Sequence, residues 1–255
     1  RELAAELISQ GVILRSGSDV EVIPHLYRRY GLQFVHRLRG MFAIALWDAR
    51  EQRLVLARDR VGKKPLVYAR DANRLLFGSE ARALLAAGWR SDPDLHALDH
   101  VLAFACLPTQ PGAWTGLESL PPGHLGVWQD GRLNIERYWS WHPGDHLSPA
   151  GLGQAVEAAL EEAVKIRLVS ERPLGAFLSG GIDSTIVTAL MARHHSRPVT
   201  TFSIGYDAPT FDESGYARGV AEYLGTDHTE LIGTPDPVAM FGLLADAYDQ
   251  PIADS

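Results

Sequence analysis

The sequence predicts two domains of different class: an antiparallel α+β unit over residues 1–147 and a doubly wound, parallel α/β unit over 148–255. Three observations carry this. Short runs of strand formers lie close together in the first half, as in hairpins. Strands alternate with helices in the second half, which requires parallel strands joined by right-handed crossovers. Between them "HPGDHLSPAG" (142–151) is a run of turn formers that marks the boundary.

The elements follow in order. "RELAAELISQG" is an amphipathic helix with Leu3, Leu7 and Ile8 on one face. "DVEVIPHLYRRYG" is a second helix, its apolar side Val20, Ile23, Leu26 and Tyr27, stopped by Gly31. "MFAIALWD", "RLVLARDR", "PLVYARD" and "RLLFGS" are strands, and "SEARALLAAG" is a short helix closed by Gly88. The stretch from Asp92 to Trp141 is rich in Pro, Gly and Trp, with a hairpin turning at Asp130-Gly131. Beyond the boundary, Leu152, Val156, Leu160 and Val164 align along a helix. There follow a strand "LGAFL", a helix "TIVTALMARHH", a strand "VTTFSIG", a helix "ESGYARGVAEYLG" and a strand "HTELIG".

Composition narrows the function. The formal charge of −7 over 255 residues argues against a nucleic-acid binder, and no window approaches the apolar length of a membrane helix. The single cysteine, Cys106, allows no intramolecular disulfide and is expected to be a buried small hydrophobe. The expected setting is the cytoplasm. The chain starts at Arg1 within a helix pattern and stops at "DQPIADS", so it is expected to be a fragment.

The chemistry concentrates in "PLGAFLSGGIDSTIVTAL" (Pro173 to Leu190). A strand, then Ser179-Gly180-Gly181, then a helix makes an anion site: first-turn amides lack intrahelical partners and the helix dipole's positive end stands behind them. Two glycines let the main chain approach a ligand, while Ser179, Ser184 and Thr185 add hydroxyls. Asp183 would repel a bare phosphate, so it implies a divalent cation between carboxylate and phosphate. The loop is neither GxxxxGK[ST] nor GxGxxG. Taken alone, it is as consistent with an ordinary turn capped by Asp183 or Ser184. His194-His195 close a helix, where cations suit the dipole, and Arg58 to Lys64 form a solvated or domain-contacting turn.

"SGGIDST" after an apolar strand resembles the pyrophosphate-binding loop of N-type ATP pyrophosphatases, SGGxDS. "GSDVEVI", "LRGMFAIALWD", "LARDRVGKKPL" and "LPPGH" resemble, in that order and at similar spacing, segments of the glutamine-hydrolysing asparagine synthetase family. The resemblance covers essentially the whole chain. It implies a glutamine amidotransferase domain of the N-terminal-nucleophile class, an αββα sandwich, followed by an ATP pyrophosphatase-type synthetase domain. The implied enzyme is a C–N ligase of asparagine biosynthesis. It hydrolyses glutamine, adenylates a carboxylate (L-aspartate first of all) with release of pyrophosphate, and passes ammonia to the acyl-adenylate, leaving asparagine and AMP.

The resemblance assigns the amino group of glutamine to Asp19, for which a helix N-cap is the plain alternative. It assigns the pyrophosphate of ATP to Ser179, Gly180, Gly181, Asp183 and Ser184, with Asp183 near Mg²⁺. Leu178 and Ile204 match positions lining the adenine site, and core packing explains both equally well. The implied cofactors are ATP and Mg²⁺; the partners are small molecules, with a homodimer as a possibility, and neither nucleic acid nor membrane. No catalytic residue falls within the chain: the family's N-terminal cysteine and its "NGEIYN" segment are absent, and "SGEGSDE" with its glutamate lies beyond Ser255. Thr185, where many members have Ser, keeps the hydroxyl. As given, the chain should catalyse neither half-reaction well. The alternatives are an amidotransferase on the same scaffold acting on a sugar acid, peptide or secondary metabolite; another ATP pyrophosphatase, which would lack the N-terminal motifs; and a degenerate glutamine- or ATP-binding protein.

Overall fold

The computed structural model describes residues 1–107, 113–142, 149–207, 212–234 and 236–248. Two compact units emerge, the first built on Arg1–His142 and the second on Pro143–Met240. Most of the boundary loop and the "DQPIADS" end lie outside the described residues.

The first unit has helices α1 (Glu2–Ser9) and α2 (Val22–Tyr30), then strands β1 (Ala43–Asp48), β2 (Arg53–Arg58), β3 (Val67–Arg70) and β4 (Leu75–Gly78). Helices α3 (Ala81–Ala86) and α4 (Leu95–Phe104) and strands β5 (Glu118–Ser119), β6 (His124–Gln129) and β7 (Arg132–Arg137) complete it. Two antiparallel sheets result, ordered β1-β2-β6-β7 and β4-β3-β5.

The period-2 alternation of these strands builds the layers. From β2, Val55 and Ala57 join Leu7 of α1 and Leu26 of α2 in one core. The alternate residues, Leu54 and Leu56, meet Tyr68 of β3 in a second core between the sheets. On the far side of β3, Val67 and Ala69 pack on Ala81 and Leu84 of α3. The order is helices, sheet, sheet, helix. The hairpin turn forms where expected, with Asp130 and Gly131 both at positive φ (50° and 73°), as a type I′ turn demands.

Three sequence expectations change here. Helix α4 went unseen among the Pro, Gly and Trp residues around it, although Asp94 caps it by accepting from the N–H groups of His96 and Ala97. Cys106 is exposed, not buried, because α4 has already ended in Ala105, whose αL conformation turns the chain away. The turn from Arg58 to Lys64 is solvated only in part: Arg60, Val61, Lys63 and Lys64 are exposed, but its first charges turn inward. Asp59 is fully buried and accepts from the main-chain N–H groups of Phe42 (3.3 Å), Val61 (3.2 Å), Lys63 (2.9 Å) and Lys64 (2.9 Å). Burial alone would raise its pKa, but the four donors outweigh that and hold it below the ordinary carboxylate value. Arg58 donates to the carbonyls of Gly62, Lys64 and Leu120, and Gly123 N–H to Asp59 O. So "LARDRVGKKPL" and "LPPGH", some sixty residues apart, are halves of one internal knot. Tyr138 closes it by donating to Arg58 O at 2.8 Å, and burial together with the Asp59 charge pushes its phenol up to about 12.

The second unit runs α5 (Pro149–Lys165), β8 (Gly175–Phe177), α6 (Ile182–His194), β9 (Thr200–Tyr206), α7 (Ser214–Leu224) and β10 (Asp227–Gly233); α8 (Pro237–Ala247) follows in the chain. The strands are parallel in the order β10-β9-β8. Each strand is added on the same side of the last, so two right-handed crossovers place α6 and α7 on one face. A doubly wound sheet needs the strand order to reverse, and the described strands contain no reversal. Val164, Leu190, Met191 and Val199 pack beneath α5 and α6, and Leu178 beneath Ala217 and Ala221 of α7. On the opposite face Phe177, Ile204 and Leu231 are 81%, 49% and 57% exposed. No helix among the described residues is long and apolar enough to cross a membrane.

Candidate functional site

The glycine loop leaves the C-terminal end of β8 and enters α6. Leu178 N–H is held by Phe202 O of β9 at 2.8 Å, which fixes the strand end before the chain turns. Gly180 has φ +80°, and a Cβ on it would lie 2.6 Å from the Tyr216 Cβ and carbonyl carbon and 2.7 Å from Ala217 N. Only glycine fits both the torsion and the space. Gly181 is the N-cap of α6 with no side-chain cap, so the first-turn amides keep their orphan N–H groups.

The hydroxyls hold the loop closed. Ser179 Oγ and Ser184 Oγ lie 3.0 Å apart, Ser184 Oγ donates to Gly181 O, and Ser179 Oγ accepts from Gly181 N–H. Thr188 donates to Ser184 O at 2.8 Å. Thr185 Oγ1 is buried without a hydrogen-bond partner among the described residues, which typically costs about 1–3 kcal/mol. Asp183 is exposed in the first turn of α6. Neither Asp183 nor Ser184 caps through its side chain. The structure thus brings Ser179, Gly180, Gly181, Asp183 and Ser184 to one loop. Leu178 and Ile204 stand at neighbouring strands, but the Leu178 side chain is buried under α7 while Ile204 is half exposed on the other face. Orphan amides, a left-handed glycine, clustered hydroxyls and a carboxylate are the groups that a polyphosphate with a cation would need.

Asp19 lies in the first unit, in the 3₁₀ turn Asp19–Glu21 before α2. It is not the N-cap: Ser18 is, accepting from Val20 N–H at 3.2 Å. The Asp19 carboxylate takes no part in that cap. It borders an open groove of 1340 Å³ between α2 and β1, together with Tyr27, Arg28, Trp47 and Asp48. Tyr27 donates to Asp48 (2.7 Å) and accepts from Arg53 (2.8 Å), so the groove wall is internally bonded. Burial, then the Asp48 contact, raise the Tyr27 pKa; the Tyr27 hydrogen bond first of all lowers that of Asp48.

The sequence reading missed Glu21. Its carboxylate accepts from Arg15 N–H (2.6 Å), Ser16 N–H (2.7 Å) and Ser16 Oγ (2.6 Å), pinning the segment that presents Asp19. These donors lower the Glu21 pKa, the Arg15 amide foremost. The only signal in "RSGSDVE" was an acid closing a run of hydroxyl and glycine residues.

Residues 1–139 match a glutamine amidotransferase domain family and residues 155–255 an asparagine synthase family. Asparagine synthetase [glutamine-hydrolyzing] 3 of Bacillus subtilis is 32% identical over 91% of this chain and 40% of its own length. A putative asparagine synthetase [glutamine-hydrolyzing] of Mycobacterium bovis is 32% identical over 99% and 40%. Amidase chyE of Penicillium rubens is 33% identical over 82% and 34%. A solved glutamine PRPP amidotransferase from B. subtilis, complexed with ADP and GMP, superposes with a TM-score of 0.41 at 18% identity over 94% of this chain and 47% of that one, too slight a likeness to argue from. The chain spans about 40% of the length of the first of these relatives. Two consecutive family matches and the two synthetase relatives agree: this chain belongs to the glutamine-hydrolysing asparagine synthetase family.

Proposed function

We propose that the protein carrying this chain is an ATP-dependent C–N ligase that amidates a carboxylate, L-aspartate to L-asparagine in the leading reading, with ammonia from glutamine. Residues 1–147 serve the glutaminase, with Asp19 holding the amino group of glutamine in its groove. Residues 148–255 begin the synthetase. There Ser179, Gly180, Gly181, Asp183 and Ser184 hold the pyrophosphate of ATP, and the main chains of Leu178 and Ile204 at the ends of β8 and β9 seat adenine. Asp183 would hold Mg²⁺, which would neutralise charge on the phosphates.

The observation that carries the reading is the closed loop around Gly180, whose amides and hydroxyls converge at the end of a parallel strand. Ligands of open α/β sheets sit beyond the carboxyl ends of the strands. A carboxylate resists ammonia because its oxygen leaves poorly; adenylation makes it a good leaving group. Negative charge then gathers on the departing pyrophosphate, where preorganised donors stabilise it. Incubating the full-length protein with ATP, glutamine and a panel of carboxylic acids, then identifying the amide product, tests the reading. Asparagine with AMP supports it, another amide moves the acceptor to a sugar acid, peptide or secondary metabolite, and ADP in place of AMP overturns it.

A further inference from the structure

The first turn of α7 meets two other pieces of the second unit at once. The main chain and Cβ of Tyr216 occupy the space a Gly180 side chain would need, and Ser214 Cβ lies 3.2 Å from where a Gly205 Cβ would stand, one residue beyond Ile204. Asp212 locks this corner: it accepts from Ser214 N–H (3.0 Å) and Ser214 Oγ (3.1 Å), and these bonds lower its pKa. Glycine at both 180 and 205 lets α7 press against the loop and against the end of β9 together. From that junction springs the Tyr216 side chain. It is 75% exposed although its neighbour Ala217 is fully buried. Ile182, the first residue of α6 directly after the loop, is 78% exposed. Two large apolar side chains thus flank a loop otherwise made of glycine, hydroxyl and carboxylate groups, and the fold leaves both uncovered.

We infer that Tyr216 is a positioning residue for the nucleoside end of ATP, its ring stacking on the base or ribose while the loop holds the phosphates; this rests on the nucleotide reading above. An aromatic face is worth a good fraction of a nucleobase's binding and is indifferent to the ring hydroxyl. The Asp212–Ser214 bonds and the packing of α7 on Gly180 hold the corner beside the loop. A ring stacked there adds to the binding of a nucleotide and adds nothing to that of its bare phosphates.

Calorimetric titration of the full-length protein with Mg·ATP, and separately with magnesium pyrophosphate, tests this in wild type, Tyr216→Ala and Tyr216→Phe. Tyr216→Ala should weaken ATP about ten-fold and leave pyrophosphate within about two-fold, while Tyr216→Phe stays close to wild type. Circular dichroism and the melting temperature confirm folding of each variant. Equal loss of both ligands, no loss of either, or failure of Phe to restore ATP overturns the role of Tyr216. A wild-type protein that binds neither ligand overturns the nucleotide reading itself, a result distinct from the other three.

Discussion

Ser179 and Ser184 close the glycine loop on each other: their hydroxyl oxygens lie 3.0 Å apart, and Ser179 N–H points at Ser184 Oγ at 3.3 Å. The pair fixes the curvature of a loop that has no side-chain cap, so the first-turn amides of α6 are arranged by the loop's own bonds. Replacing Ser184 with Ala removes a clamp and a donor together. It should lower kcat for AMP formation by about 10²–10³, as loss of one donor to a developing anion does, with glutamine hydrolysis unchanged. Parallel assays of AMP and glutamate in the full-length protein check this.

Gly180→Ala tests the close approach of the loop to α7. The variant must place a Cβ 2.6 Å from Tyr216 at φ +80°, which costs about 1–2 kcal/mol in torsion alone before the overlap is relieved. Synthetase activity should vanish and the urea midpoint of the second unit should fall, while glutaminase kinetics stay as they are. An active, equally stable variant would mean that the loop does not pack on α7.

Asp59 contributes to the pH dependence of the first unit. Its folded pKa is depressed, so its contribution to stability is present above the unfolded value of about 3.9 and is lost as pH falls through the folded one. Asp59→Ala leaves the N–H groups of Phe42, Val61, Lys63 and Lys64 without their acceptor. It should destabilise by about 3 kcal/mol or more at pH 7, with the gap to wild type narrowing below about pH 4. Urea unfolding at several pH values measures this, and a gap independent of pH would contradict the ionised role.

Ala105 pays for its αL conformation at the end of α4, where glycine is the usual residue. Ala105→Gly should stabilise by about 0.5–1 kcal/mol, read as a higher melting temperature with no change in either activity. A fall in stability would mean that the torsion at 105 is not strained.

How much of this the sequence showed depends on what kind of force set each feature. Periodic elements such as α1, β2 and α5, and the Asp130-Gly131 turn, follow from local pattern and were legible. So was the glycine loop, because its residue types are dictated by main-chain geometry within six positions. What escaped depends on partners distant in sequence. Charges at Arg58 and Asp59 look solvated until Leu120 and Gly123 arrive to bury them. Leu178 could be assigned either to core or to ligand until α7 was in place over it. The need for glycine at 180 was readable, but not that Tyr216 is what crowds it.

The central claim is that two separable jobs meet in one amidation. Glutamine labelled with ¹⁵N in its amide, supplied with ATP and aspartate to full-length wild type, Asp19→Ala and Asp183→Ala proteins, tests it most directly. Wild type should yield labelled asparagine and AMP. Asp183→Ala should release glutamate and ammonia with no AMP, and Asp19→Ala should make asparagine only when free ammonia is added, with a raised KM for glutamine. AMP formation that survives in Asp183→Ala, or loss of both activities in a folded Asp19→Ala protein, would contradict it.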